Sequence, residues 1–167
     1  MIGLVLAAAA AATATQAADA TPGAWKFKDL GVGKDGSVFF QAEVVSDQFL
    51  VDANRMQQKA GLAVKCDAKG LYVDIVWPEP VAGDTYDGTK ADVVFKIDNG
   101  RVREAKLRKT DMAAMALGKE GFRLLKDLSD AQTLTVRVPD LYGGQTATFH
   151  VAGIRALYDR VKSQGCD

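Results

Sequence analysis

One histidine and two cysteines are the scarce reactive side chains of this 167-residue sequence, and their number limits the chemistry on offer. A serine or cysteine hydrolase needs a base beside its nucleophile, most often histidine, and His150 is the sole candidate. No Gly-x-Ser-x-Gly turn accompanies it. A catalytic zinc asks for about three protein ligands, commonly several histidines, which one histidine cannot supply. Paired carboxylates need no histidine. Asp74, Asp92 and Asp98 lie on or beside strand-like stretches and would suit glycoside hydrolysis if two of them stood close together. The stretch GVGKDGS (residues 31–37) resembles a phosphate loop, but it lacks the four-residue spacer before Gly-Lys and an apolar helix after it. Its glycines supply a turn between strands. Asp84 and Asp87 lack the regular ligand spacing of a calcium loop. The residues therefore predict no catalytic group, no metal site and no cofactor, and a binding role leads.

Charge and compartment narrow the partner. Lys plus Arg and Asp plus Glu both total 21, so no overall basic field gathers nucleic acid or anionic lipid. Residues 2–12 form an unbroken apolar run, and Ala18-Asp19-Ala20 fits the small-x-small pattern before a signal-peptidase cut. The expectation is a signal peptide over 1–20, cut after Ala17 or Ala20, and a single exported domain over 21–167. The run is too short for a comfortable transmembrane helix, so no stable membrane insertion is expected after cleavage. Export places the chain in an oxidising compartment, periplasmic or secreted, where two cysteines read as one disulfide. Cys66–Cys166 would close a loop of about 100 residues.

The elements behind these groups repeat mostly with period two. Residues 25–28 alternate apolar with basic, and Val38, Phe40, Ala42 and Val44 share one face of the next strand. Leu62, Val64 and Cys66 share a face, Asp67-Ala68-Lys69-Gly70 reverses the chain, and Leu71, Val73, Ile75 and Trp77 return. A third strand carries Val93, Phe95 and Ile97, and Asn99-Gly100 turns it into the charged stretch 101–108, whose charges suit a sheet edge. Thr110 and Asp111 are expected to cap a short helix through Met112 and Met115 to Gly118, with a further helical stretch through Phe122, Leu125 and Leu128. Leu134, Val136 and Val138, then Ala147, Phe149 and Val151, mark two more strands, with His150 on the opposite face from Phe149. Ile154, Leu157, Tyr158 and Val161 form the apolar stripe of a closing helix.

The predicted fold is α+β: a mainly antiparallel sheet or small sandwich, a short middle helical segment, and a C-terminal helix clamped by Cys66–Cys166. The long loop 78–90 is acidic and carries an aromatic residue, which marks it as an exposed functional loop. The expected binding surface comprises Trp77, Glu79, Asp84, Tyr86 and Asp87 in and beside that loop, Arg101 and Arg103 on the basic strip, and His150.

The strand Leu62-Ala63-Val64-Lys65-Cys66, its hairpin into an apolar strand closed by Trp77, and the strand over 91–98 form one set of features. Ala147-Thr148-Phe149-His150-Val151-Ala152-Gly153-Ile154 with the following helix and Cys166 forms another. Together they resemble the exported accessory proteins of type VI secretion clusters, the VasI/TagO type, and their periplasmic relatives. Lys96 stands where that family often has arginine, and Lys34-Asp35-Gly36-Ser37 replaces its acidic-serine segment. The resemblance implies an exported accessory module with a cysteine pair, binding a protein partner of the cell envelope, and it brings no catalytic residues. Two other readings stand beside it: an inhibitor or immunity-like protein that blocks a cell-wall hydrolase with the 78–90 loop, and a carboxylate-dependent glycan hydrolase.

Overall fold

The computed structural model describes residues 25–34, 36–84, 88–140 and 143–166. The signal-peptide expectation lies outside them. Nine strands and two helices follow in the order β1 (Lys26–Val32), β2 (Val38–Val51), β3 (Gln57–Asp67), β4 (Gly70–Val76), β5 (Lys90–Ile97), β6 (Val102–Lys109), β7 (Ala113–Leu117), α1 (Gly118–Leu128), β8 (Thr133–Val138), β9 (Gln145–His150) and α2 (Ile154–Ser163). All nine strands join one antiparallel sheet in the order β1-β2-β3-β4-β7-β6-β5-β8-β9. The α+β architecture with a clamped C-terminal helix is as the residue pattern predicts.

Alternation sets the register. Phe40, Ala42 and Val44 of β2 are buried, as are Leu62, Val64 and Cys66 of β3 and Leu71, Val73 and Ile75 of β4. These residues pair Phe40 with Cys66 with Leu71 and Ala42 with Val64 with Val73, so one face is apolar across strands. Gly70 closes the β3–β4 hairpin at φ 109°, a conformation that costs glycine little.

The sheet curls until its last strand, β9, meets β2. Between Val45 and Phe49 the β2–β3 register shifts. Ser46, fully buried, satisfies this irregularity: its hydroxyl donates to Gln48 O at 2.8 Å and accepts from Ala60 N at 3.1 Å. Such a bulge bends the strand and re-aims its side chains. Gln48 Oε1 then accepts from Thr148 N of β9 at 2.8 Å. Gln145 of β9 grips Val51 from the other side, its Oε1 accepting from Val51 N and its Nε2 donating to Val51 O at 2.9 and 2.7 Å. Glutamine side chains thus stand in for a ladder between β2 and β9.

Both helices pack on the apolar face. Leu125 and Leu128 of α1 and Ile154, Leu157 and Val161 of α2 are buried there. Phe122 and Tyr158 join the helices with ring centroids 5.1 Å apart, and the Arg160 guanidinium lies 4.4 Å from the Phe40 ring centroid. The expected helix start is corrected: residues 113–117 are strand β7, and α1 begins only at Gly118. Ala and Met favour helix in isolation, but β4 offers a complete ladder from Tyr72–Leu117 to Val76–Ala113, and the small Ala114 and Ala116 fit under α1. Tertiary pairing overrides the local preference.

Cys66 and Cys166 are bonded, with Cα atoms 6.0 Å apart across a sequence separation of 100. The bridge ties the end of β3 to the chain just after α2. Replacing both cysteines by alanine is expected to lower unfolding free energy by about 2–4 kcal/mol. Urea denaturation of the two proteins, with equal m-values required, measures it.

Candidate functional site

Most of the expected surface is used structurally. Trp77 is buried, its Nε1 donating to Asp140 Oδ2 at 3.4 Å, and Glu79 is only 1% exposed. Neither belongs to a binding surface. The physical reason is that the chain leaving β4 threads inward: Trp77 N donates to Met112 O, Val81 N to Asp111 O, and Ala82 N to Pro139 O, at 2.7 to 2.9 Å. Glu79 Oε1 accepts from Ala53 N in the β2–β3 turn, while its Oε2 is buried with no hydrogen-bond partner. The first half of the 78–90 loop is therefore a strap, contrary to the exposed loop the sequence predicts. Asp84 is largely covered and closes the loop, its N donating to Lys90 O and its Oδ1 accepting from Gly88 N. Tyr86 and Asp87 lie outside the described residues.

His150 is half exposed on the face opposite Phe149, as alternation requires, with Nε2 3.1 Å from Asp47 Oδ2. It sits in the β2–β9 seam next to the glutamine contacts. Arg101 is exposed just before β6, and Arg103 Nη1 donates to Asp127 Oδ2 of α1 at 2.8 Å.

The three candidate carboxylates are not brought together. Asp74 on β4 and Asp92 on β5 are separated by β7 and β6, three strand spacings or about 14 Å. Asp98 lies just past the end of β5, six residues on from Asp92, about 20 Å away. Paired glycosidase carboxyls stand within about 9.5 Å. Each carboxylate has a local role. Asp92 pairs with Lys106 at 3.0 Å. Asp98 accepts from Thr133 N, Gln132 N and the Thr133 hydroxyl, and these bonds, Thr133 N foremost, hold its carboxyl below the usual range. Asp74 faces outward between Ala63 and Met115, with one carboxylate oxygen buried and unpaired, and desolvation raises its pKa.

An arrangement the sequence did not disclose is the splay between β6 and β7. In sheet order β6 is internal, which corrects the edge expectation, yet β7 pairs with it only at Arg108 and Lys109. Residues 102–107 pair with β5 alone. From β7 the chain runs as α1 to β8, passing on the core side of this opening. A cleft of about 130 Å³ results, walled by Ile75, Phe95, Ala105, Leu107, Ala116, Leu124, Leu134 and Val136. Glu120, Arg123 and Asp127 of α1 supply its polar rim. The Arg103–Asp127 pair lies beside it, but both side chains are about half exposed, so the pair contributes only about 0–1 kcal/mol. The alternation of Ala105 and Leu107 within a charged strand was the one trace of this wall in the sequence. Its partner across the gap read as helix, which concealed the opening.

Among the described residues no group of three or more His, Cys, Asp or Glu is arranged to hold a metal ion, and no helix is long and apolar enough to cross a membrane. No protein-family model, no curated protein and no solved structure matches the chain.

Glu79→Ala is expected to destabilise the protein by about 1–3 kcal/mol, because Ala53 N loses its acceptor, while Glu79→Gln retains most of the stability. Chemical denaturation of both variants gives the comparison. Asp74 has a raised folded pKa, so its favourable contribution is present below the unfolded value and is lost as pH rises through the folded one. Asp74→Asn is therefore expected to be the more stable protein at pH 7. Its advantage should shrink on acidification towards pH ~4, which thermal melts across that range would register.

Proposed function

We propose that this chain is a non-enzymatic binding module, periplasmic or secreted, that serves as an accessory to a protein of the cell envelope. The observation that carries the reading is the stretch 102–107 of β6, paired with β5 but without a ladder on its β7 side, beside an apolar cleft. Unpaired strand backbone next to an unfilled apolar wall is a recognition surface for another polypeptide. The compartment rests on the leader-like residues 1–20 and on the Cys66–Cys166 bridge, a bond that persists where the surroundings are oxidising. The resemblance to accessory proteins of type VI secretion clusters supports the same role, and a component of such a cluster is the finer form of the proposal.

A photo-crosslinking residue at Val102, which is 64% exposed on the open stretch, tests the role in envelope extract. The expected result is a discrete adduct with an envelope protein, absent when the same probe replaces the exposed Lys162 of α2. Adduct formation at Lys162 and none at Val102 would reject β6 as the surface. Capture of a lysozyme or amidase at Val102 would favour the inhibitor reading instead.

A further inference from the structure

We propose that the tip of the β2–β3 hairpin is a lipid-docking element that seats its apolar side chains at the headgroup level of a bilayer, with Arg55 and Lys59 on the lipid phosphates. This surface is separate from the cleft over α1, whose walls include none of the residues concerned.

The apolar side chains gather at one place. Large hydrophobic residues are exposed at nine positions among the described residues, and five of these, Val45, Phe49, Val51, Met56 and Val76, lie on this hairpin or directly beside it. Val45 stands opposite Gly61 and Gly61 opposite Val76, where the missing side chain of Gly61 leaves the two valines on one open strip. Leu50 is buried, so alternation turns Phe49 and Val51 to the outer face. Met56 O accepts from Asp52 N at 3.0 Å, and that register puts Met56 on the other face of the ribbon. Every residue from 53 to 59 is exposed, so the hairpin end stands clear of the core. Phe49, 59% exposed, and Met56, 61% exposed, therefore flank the tip from both sides. A rigid protein surface covers one side of such a ribbon, whereas a fluid lipid interface closes around both. From Met56 to the Phe49–Lys59 rung is three steps, about 10 Å, which matches the depth to which interfacial elements sink.

Charge selects the same occupant. Residues 49–59 carry two cations, Arg55 and Lys59, against one carboxylate, Asp52. Asp52 is turned onto its own turn, with Oδ1 accepting from Asn54 N and Met56 N at 2.9 and 2.8 Å and Oδ2 from Gln58 Nε2 at 2.8 Å. Of the neighbouring acids, Glu79 is buried beneath the turn on Ala53 N, and Asp47 faces His150 farther down β2. Arg55 and Lys59 make no ion pair among the described residues. The Lys59 ammonium lies 5.2 Å from the Phe49 ring centroid, so its stem runs beside the ring that sinks while the charge stays at the polar level. Arg55 holds a left-handed φ of 59° in the turn, and its long stem lets the guanidinium bend back to a phosphate.

Vesicles of phosphatidylcholine, with and without phosphatidylglycerol, test the inference on the full disulfide-bonded chain. Parent and variants share residues 1–20, so differences between them report the hairpin. Met56→Trp places an indole at the tip, and Val102→Trp places one at the opposite end of the sheet. Lipids brominated near the headgroup are expected to quench the first and to leave the second unquenched. Phe49→Ser combined with Met56→Ser should weaken vesicle binding about 10- to 100-fold. Arg55→Gln combined with Lys59→Gln should remove a preference of about 5- to 30-fold for phosphatidylglycerol vesicles. All four positions are exposed, and an unchanged melting temperature and far-UV spectrum verify the fold of each variant. Equal quenching at both indoles, no quenching at the tip, or full vesicle binding by the folded serine variant overturns the inference. A photo-crosslinker at Met56 that captures one discrete envelope protein, without quenching by brominated lipid, makes the tip a protein interface and likewise rejects lipid docking. Neither result bears on the Val102 crosslinking test, so the role proposed for β6 stands or falls separately.

Discussion

A sheet with one apolar face must hide that face from water, and nine strands present about 38 Å of it across their width. The two helices have 11 and 10 residues, each about 15–17 Å long, too little to cover such an area flat. The sheet therefore wraps around the helices until β9 reaches β2. Small residues line the curved interior, Ala42, Ala60, Ala114, Ala116 and Ala147 among them, where larger ones would hold the strands apart. Ser46 lets β2 bend, and Gln48 and Gln145 reach across where backbone pairing stops.

The same wrapping sets the position of the cleft. β7 is bound along its whole length to β4, so it follows that half of the sheet, while β6 follows β5. The halves share only the Arg108–Met115 and Lys109–Ala114 pairs and diverge beyond them. With α1 inside, the wedge neither collapses nor fills. The surface proposed for recognition is thus a by-product of how the sheet closes, held open by ladders on both sides, and not a mobile loop.

Where burial follows strict alternation, the sequence was legible. The β3–β4 hairpin, the faces of β2, β5, β8 and β9, the stripe of α2 and the Cys66–Cys166 pairing could all be read before any coordinates. The pairing also depended on inferring the compartment. Residues 113–117 could not, because alanine and methionine favour helix and only the neighbour β4 makes them a strand. Glu79 and Trp77 misled for a related reason: a charged residue between two prolines reads as solvated, and only Ala53 N on the Glu79 carboxylate and Asp140 on the Trp77 indole make the burial of these two side chains tolerable. The cleft depends on a divergence between strands distant in sequence order, which no local period records.

The two sulfurs have a bearing on the order of assembly. Every residue of β4 to β9 and both helices lies between Cys66 and Cys166, so the covalent link cannot form before all of that chain has been made. An antiparallel sheet of such non-local pairing folds in milliseconds to seconds, and thiol oxidation takes seconds or longer. The bond therefore acts as a latch on an architecture already assembled, and the apolar contacts of the wrapped sheet must by themselves hold the thiols in register until oxidant arrives.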